Sequence, residues 1–264
     1  MSFTKSILTQ WNKQHNSFEK SLAVVQKELS SRAVHQLRVS IKKLRAFIKL
    51  TELVTKEKEH SERLPSTSYL FRMLGKYREL DLQLAAVSDA DCPVFKSHLQ
   101  HLKMQTAHEI KAMLTHFQEK EITKLDTIIK THLETKADKQ ALKKTKQYIR
   151  EKDKNTQNQK EYFAKNTHLI RKRLKNIGYW LQVIPDQKIL RQSTLKKLHQ
   201  IVSMLGLAHD AQVLGIRIKH FRKDYLVKGN SEIKILQQLE RKTKKHSKRY
   251  IHNARQMYYL LNIK

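Results

Sequence analysis

The chain of 264 residues is long enough for one large or two modest domains, each able to bury a core. It carries 54 lysines and arginines against 24 aspartates and glutamates, a formal net charge of +30, and a surplus of that size repels itself unless a polyanion is close by. A single cysteine excludes a disulfide framework, the opening stretch MSFTKSILTQWN lacks the apolar core of a secretory signal, and about eighteen apolar residues nowhere run together, so a cytoplasmic protein without a membrane-spanning helix is expected.

Five glycines and three prolines leave few breakers, and an all-α fold of about eight helical pieces, with no sheet, is the natural expectation. Residues 3–29 place Phe3, Ile7, Trp11, Phe18, Leu22 and Val25 at helical spacing. After SSRA a second helix runs over 33–54 and is ended by SERLPSTS, which contains Pro65. A third covers 69–87, and SDADCP leads into a fourth over 93–118 with Pro93 in its first turn. Residues 120–160 are the most polar stretch, with Ile122, Leu125, Ile129 and Leu133 as their only periodic apolar set, and read as helix, connector, helix. The chain closes with helices over 162–184, stopped by Pro185, over 188–220, and over 231–261 after VKGN.

The pattern repeats. His168, Arg171 and Lys175 follow His35, Arg38 and Lys42 at an offset of 133, and Ile170, Leu174, Ile177 and Leu181 then fall on Leu37, Ile41, Leu44 and Ile48. MLG occurs twice, at Gly75 and Gly206, and LQHLKMQT from Leu99 resembles LQQLERKT from Leu236. Three matches in one order at nearly one spacing predict an internal duplication, with halves 1–137 and 138–264.

At about 100° per residue, His35, Arg38, Lys42, Arg45 and Lys49 share one arc of roughly 80°. Leu37, Ile41, Leu44 and Ile48 flank that arc on one side, and Val39, Phe47 and Leu50 on the other. A solvated face would mix Glu with Lys, yet this stripe contains no acid, and like charges three or four residues apart are mildly unfavourable without a ligand. A bound polyanion explains the stripe more economically than lysines snorkelling over a core, because Arg, Lys and His all donate to phosphate oxygens.

These residues resemble the conserved histidine α-helical domain family, CHAD. Its repeated motif has a histidine, an arginine three residues on, basic residues after another turn, and then an LG followed by an Arg-Asp-like pair. Here the motif reads His35, Arg38, Val39, Lys42, Lys43 and Arg45, then Leu74, Gly75, Arg78 and Glu79; the second copy reads His168, Arg171, Lys175 and Tyr179, then Leu205, Gly206, His209 and Asp210. The resemblance covers essentially the whole chain. It implies two four-helix bundles related by a pseudo-twofold axis, a basic central groove, and binding of inorganic polyphosphate. The expected contacts are His35, Arg38, Lys42, Lys43, Arg45, Lys49 and Arg78 from the first half and His168, Arg171, Arg173, Lys175 and His209 from the second. Arg241 and Lys245 in the cation run of the last helix are added to them. Gly178 where an arginine is typical, Glu79 in place of Asp and His209 in place of Arg predict a weaker grip by the second half.

Other chemistry finds less support. His98, His101 and His108 lack acid or thiol partners at useful spacing, so no metal site or cofactor is expected. A four-helix di-iron centre would need two Glu-x-x-His pairs, and only Glu57 to His60 fits. Cys92 has no base beside it. There is no GxxxxGK[ST] loop, and the stripes lack the carboxylates that would hold catalytic metal ions, which points to binding without turnover. Nucleic acid is the alternative partner permitted by charge, but Phe47, Tyr179 and Trp180 fall in apolar sectors and are expected in the core rather than free to stack bases. Gly75 and Gly206 are read as packing or kink positions, with Glu79 and Asp210 orienting nearby cations.

Overall fold

The computed structural model describes residues 2–56, 64–117, 120–134, 137–157, 163–184 and 192–261. Among these the chain forms nine helices and no strand: α1 (Phe3–Lys27), α2 (Ser31–Thr55), α3 (Pro65–Ala86), α4 (Pro93–His116), α5 (Lys120–Glu134), α6 (Asp138–Gln157), α7 (Thr167–Trp180), α8 (Gln192–Asp224) and α9 (Glu232–Tyr259). The fold is all-α, as the scarcity of breakers predicts. Pro185 and the Glu57 to His60 pair lie outside the described residues.

Local chemistry sets the boundaries. Ser2 and Ser30 cap α1 and α2, their hydroxyls accepting from the Lys5 and Ala33 amides. Lys56, left-handed at φ 67°, closes α2. Pro65 does not end the second helix as expected; it opens the third, at the first helical position, where a proline's missing N–H costs nothing.

The scarce carboxylates anchor helix N-termini on other helices. Asp138, at the head of α6, accepts from the Phe3 amide at 3.0 Å and the Thr4 amide at 2.9 Å at the head of α1. Glu232, buried at the head of α9, accepts from the Val94 and Phe95 amides of α4 at 2.6 and 3.2 Å. Glu121 of α5 does the same for Ser66 and Thr67 of α3, at 3.0 and 3.2 Å. Each places a negative charge where the helix dipole favours it.

The matching helices of the expected halves touch: α1 meets α6, α2 meets α7 and α3 meets α8. The larger hydrophobic cluster draws on all nine helices, from α3, α4, α8 and α9 only in part, with Trp11, Phe18, Phe47, Phe163 and Trp180 buried in it. A smaller one joins Leu80, Phe95, Leu99, Leu214, Ile218 and Phe221 at the far end of α3 and α8. Both clusters therefore mix residues from the two sides of position 138. Contrary to expectation, one helix among the described residues, Thr194–Asp224 within α8, is long and apolar enough by length and composition to cross a membrane. Its Leu198, Ile201, Leu205, Leu214, Ile218 and Phe221 are buried in these two clusters.

Candidate functional site

Helix α2 is enclosed by α1, α3, α5, α6 and α7, so its apolar positions are buried, while in its cation stripe Arg38, Lys42 and Arg45 are half-buried and His35 and Lys49 at the two ends are exposed. Arg38 crosses to α3, where its Nη1 donates to the Phe71 carbonyl at 2.7 Å and its guanidinium lies 4.5 Å from the Phe71 ring centroid. Arg45 approaches the same ring at 4.5 Å and donates to the Ser68 hydroxyl at 2.8 Å, and the Lys42 ammonium lies 5.7 Å from the ring. Phe71 thus organises three cations of the stripe through its π-face. Sequence reasoning missed it; its half-buried place among neighbouring cations has no local signature.

The glycines of the two LG motifs are seats rather than kinks. A Cβ on Gly75 would stand 2.7 Å from Nη1 of Arg38, and one on Gly206 would stand 3.1 Å from Nη2 of Arg171. Each arginine lies against the helix backbone at the point where a side chain is missing, on α3 in one case and on α8 in the other. The Nε of Arg171 is buried without a hydrogen-bond partner among the described residues.

The two rows act on each other's charge. The Lys42 amine is brought from its ordinary range down to about 7, first by burial and then by Lys175, Arg38 and Arg171, with Asp210 opposing. Arg38 is lowered to about 10 by burial, Arg78, Arg171 and Arg45, against Glu79. Burial likewise lowers Lys175, helped by Arg171 and Arg38. Among the described residues no carboxylate lies within 4.0 Å of Arg38, Lys42, Arg45, Arg171 or Lys175. The four helices α2, α3, α7 and α8 therefore meet at a junction of like charges that, among the described residues, Glu79 and Asp210 oppose only from beyond ion-pair distance.

The remaining expected residues divide. His35 borders the junction: burial lowers its pKa, followed by Arg78, Lys42, Lys175 and Arg38. Lys49 lies at the other end of the stripe, lowered by burial and by Lys172, a residue absent from the expected set. His168 stacks obliquely on His209, ring centroids 5.9 Å apart, beside Arg171. Arg78 is close to Arg38 but tied down, donating to Ser31 at 2.7 Å and pairing with Asp81 at 2.8 Å. The structure does not bring four others to the junction. Lys43, one residue and so about 100° round from Lys42, lies in a groove between α1 and α2. Arg173, two residues on from Arg171, reaches the side of Tyr148 on α6. Arg241 and Lys245 are exposed on α9; the α9 residues facing Glu79 and Asp210 are instead Lys242 and His246. Glu79 pairs with Arg217 of α8 at 3.2 Å rather than with a motif cation. His98 packs against Phe221 and Tyr225, at 4.9 and 4.7 Å between ring centroids. No group of three possible metal ligands occurs among the described residues.

Phe47 and Trp180 are buried, as their apolar sectors predict, and the Trp180 indole donates to the Ala46 carbonyl at 2.7 Å, linking α7 to α2. Tyr179 is half-buried, its phenol pushed up by burial and pulled down by Arg171.

Fold and junction together define an all-helical protein in which α2 and α7 present to one another cations that, among the described residues, have no carboxylate within 4.0 Å. The CHAD domain family matches residues 9–219, and the chain belongs to that family. The crystal structure of the CHAD domain from the plant Ricinus communis has the same fold, with a TM-score of 0.74 at 17% identity over 100% of this chain and 93% of that one. No curated protein matches the chain.

Proposed function

We propose that the protein binds inorganic polyphosphate, without cleaving it, across the junction of α2, α3, α7 and α8. The observation that carries this reading is the gathering of Arg38, Lys42, Arg45, Arg171 and Lys175 with no carboxylate within 4.0 Å of any of them among the described residues. Like charges held together in a half-buried place are unfavourable by themselves, and a linear polyanion turns each repulsion into an attraction. Arginine offers phosphate a planar fork of donors, and lysine a mobile point charge. The buried, unpartnered Nε of Arg171 supplies a donor that lacks an acceptor within the chain. The duplicated motif and the membership of the CHAD family agree with this reading, and the halves 1–137 and 138–264 would each contribute one arginine seated on glycine.

Nucleic acid is the weaker partner. The Phe71 ring already carries the guanidinium groups of Arg38 and Arg45, each 4.5 Å from its centroid, so its face is not free to stack a base. The test is a polyphosphate titration at two salt concentrations with RNA and heparin as competitors. Binding that weakens steeply with salt, and that RNA at equal phosphate concentration fails to displace, is expected. Displacement by RNA would favour the rival, and phosphate release on incubation with Mg²⁺ would mark an enzyme.

A further inference from the structure

The groove between α1 and α2 is open, of about 770 Å³, and is lined by Lys13, Lys20 and Lys43 together with His35. Among the described residues no carboxylate lies within 4.0 Å of any of the three lysines. Lys13 and Lys20 stand seven residues apart on α1, two turns and about 10 Å along one face, while Lys43 faces them from α2. Asn16 on the α1 wall and Gln36 on the α2 wall add amide donors. A groove with donors on both walls and no acid on either is complementary to an extended anion.

His35 connects this groove to the junction. It lines the groove, and its ring is also within electrostatic reach of Lys42, Arg78 and Lys175. His35 therefore stands between the α1–α2 groove and the junction, in the N-terminal part of α2. Lys43, which the motif sets beside Lys42 but helix geometry turns aside, has its place here.

We propose that the α1–α2 groove is a second polyphosphate track, continuous with the junction past His35, which only long chains reach and which makes the protein select for chain length. This rests on the reading of the junction as a polyphosphate site. A tripolyphosphate ion is short enough to be held by the junction alone; a long chain leaves it past His35 and lies over Lys43, Lys20 and Lys13.

The test compares tripolyphosphate with long-chain polyphosphate on the intact protein and on the triple variant K13Q/K20Q/K43Q. A control, K111Q/K124Q/K139Q, removes the same charge from exposed positions elsewhere. The groove variant is expected to bind long chains on the order of tenfold more weakly, with a salt dependence shallower by about two to three released counterions. Its affinity for tripolyphosphate should match that of the control. Equal losses for both ligands, equal losses in both variants, or no loss at all would overturn the track while leaving the junction in place. If the parent protein binds neither ligand, the junction reading itself falls, and the track with it.

Discussion

Replacing Gly75 by alanine separates binding from stability in a way that few single substitutions can. The new Cβ would stand 2.7 Å from Arg38 Nη1, well inside ordinary van der Waals contact, so the guanidinium must retreat. Its retreat breaks or re-aims the 2.7 Å hydrogen bond to the Phe71 carbonyl that fixes its direction. Losing one charge-assisted contact to the ligand removes about 1.5–3 kcal/mol of binding, or roughly a 10- to 150-fold rise in Kd for polyphosphate. The fold should respond in the opposite sense, because alanine in a helix interior is favoured over glycine by up to about 1 kcal/mol and the obstructing atom ends a flexible side chain. Gly206→Ala should behave similarly but more mildly, since Arg171 Nη2 would be 3.1 Å from the added carbon. Isothermal titration and urea unfolding measured on the same preparations check this. A Gly75→Ala protein that binds like the parent, or one that loses binding and stability together, would refute the seat and return the glycine to a packing role.

The double variant R38A/R171A should lose tight polyphosphate binding with its far-UV circular dichroism unchanged; binding equal to the parent's would place the site elsewhere. Because Lys42 titrates near 7 in the free protein and a polyanion favours its charged form, binding should take up protons and weaken as the pH rises through that value. Titrations in buffers of different ionisation enthalpy measure this uptake. In the absence of ligand the sign reverses: the unfolded chain holds the Lys42 proton up to about pH 10.4, so this group's contribution to stability rises between pH 7 and that value. Glu232→Ala, which deprives the Val94 and Phe95 amides of their acceptor, should cost about 1–2 kcal/mol in urea unfolding. The Cys92 thiol is buried, its pKa raised by burial and by Glu232, and should resist alkylating reagents until the protein is denatured.

How far the sequence could be read depends on the range of the interactions involved. The helical class and most helix positions follow from periodicity and from the shortage of breakers, which are properties of a few neighbouring residues. Pro65 was legible as a boundary but not as the start of α3, because a proline's effect depends on whether it enters or leaves the turn. The stripe was legible because five cations at helical spacing must share a face. Lys43 and Arg173 were carried along by their neighbours in the motif, although one or two residues of helix turn them away from that face. Phe71 and Lys172 were invisible because their closeness to the cations arises from packing between helices distant in sequence. Lys242 and His246 lay within or beside a cation run that gives no hint of which side faces inward.

By itself the sequence determined that this protein is helical, strongly basic and patterned twice, since each of these is a matter of composition or local spacing. Only the tertiary structure decided that Arg38 and Arg171 rest on the backbone of Gly75 and Gly206, that the two rows lower each other's pKa values, that Asp138 and Glu232 are occupied at the ends of other helices, and that Glu79 is paired with Arg217. Those facts depend on contacts between residues more than thirty positions apart, and such contacts exist only once burial of the apolar stripes has fixed how the helices cross.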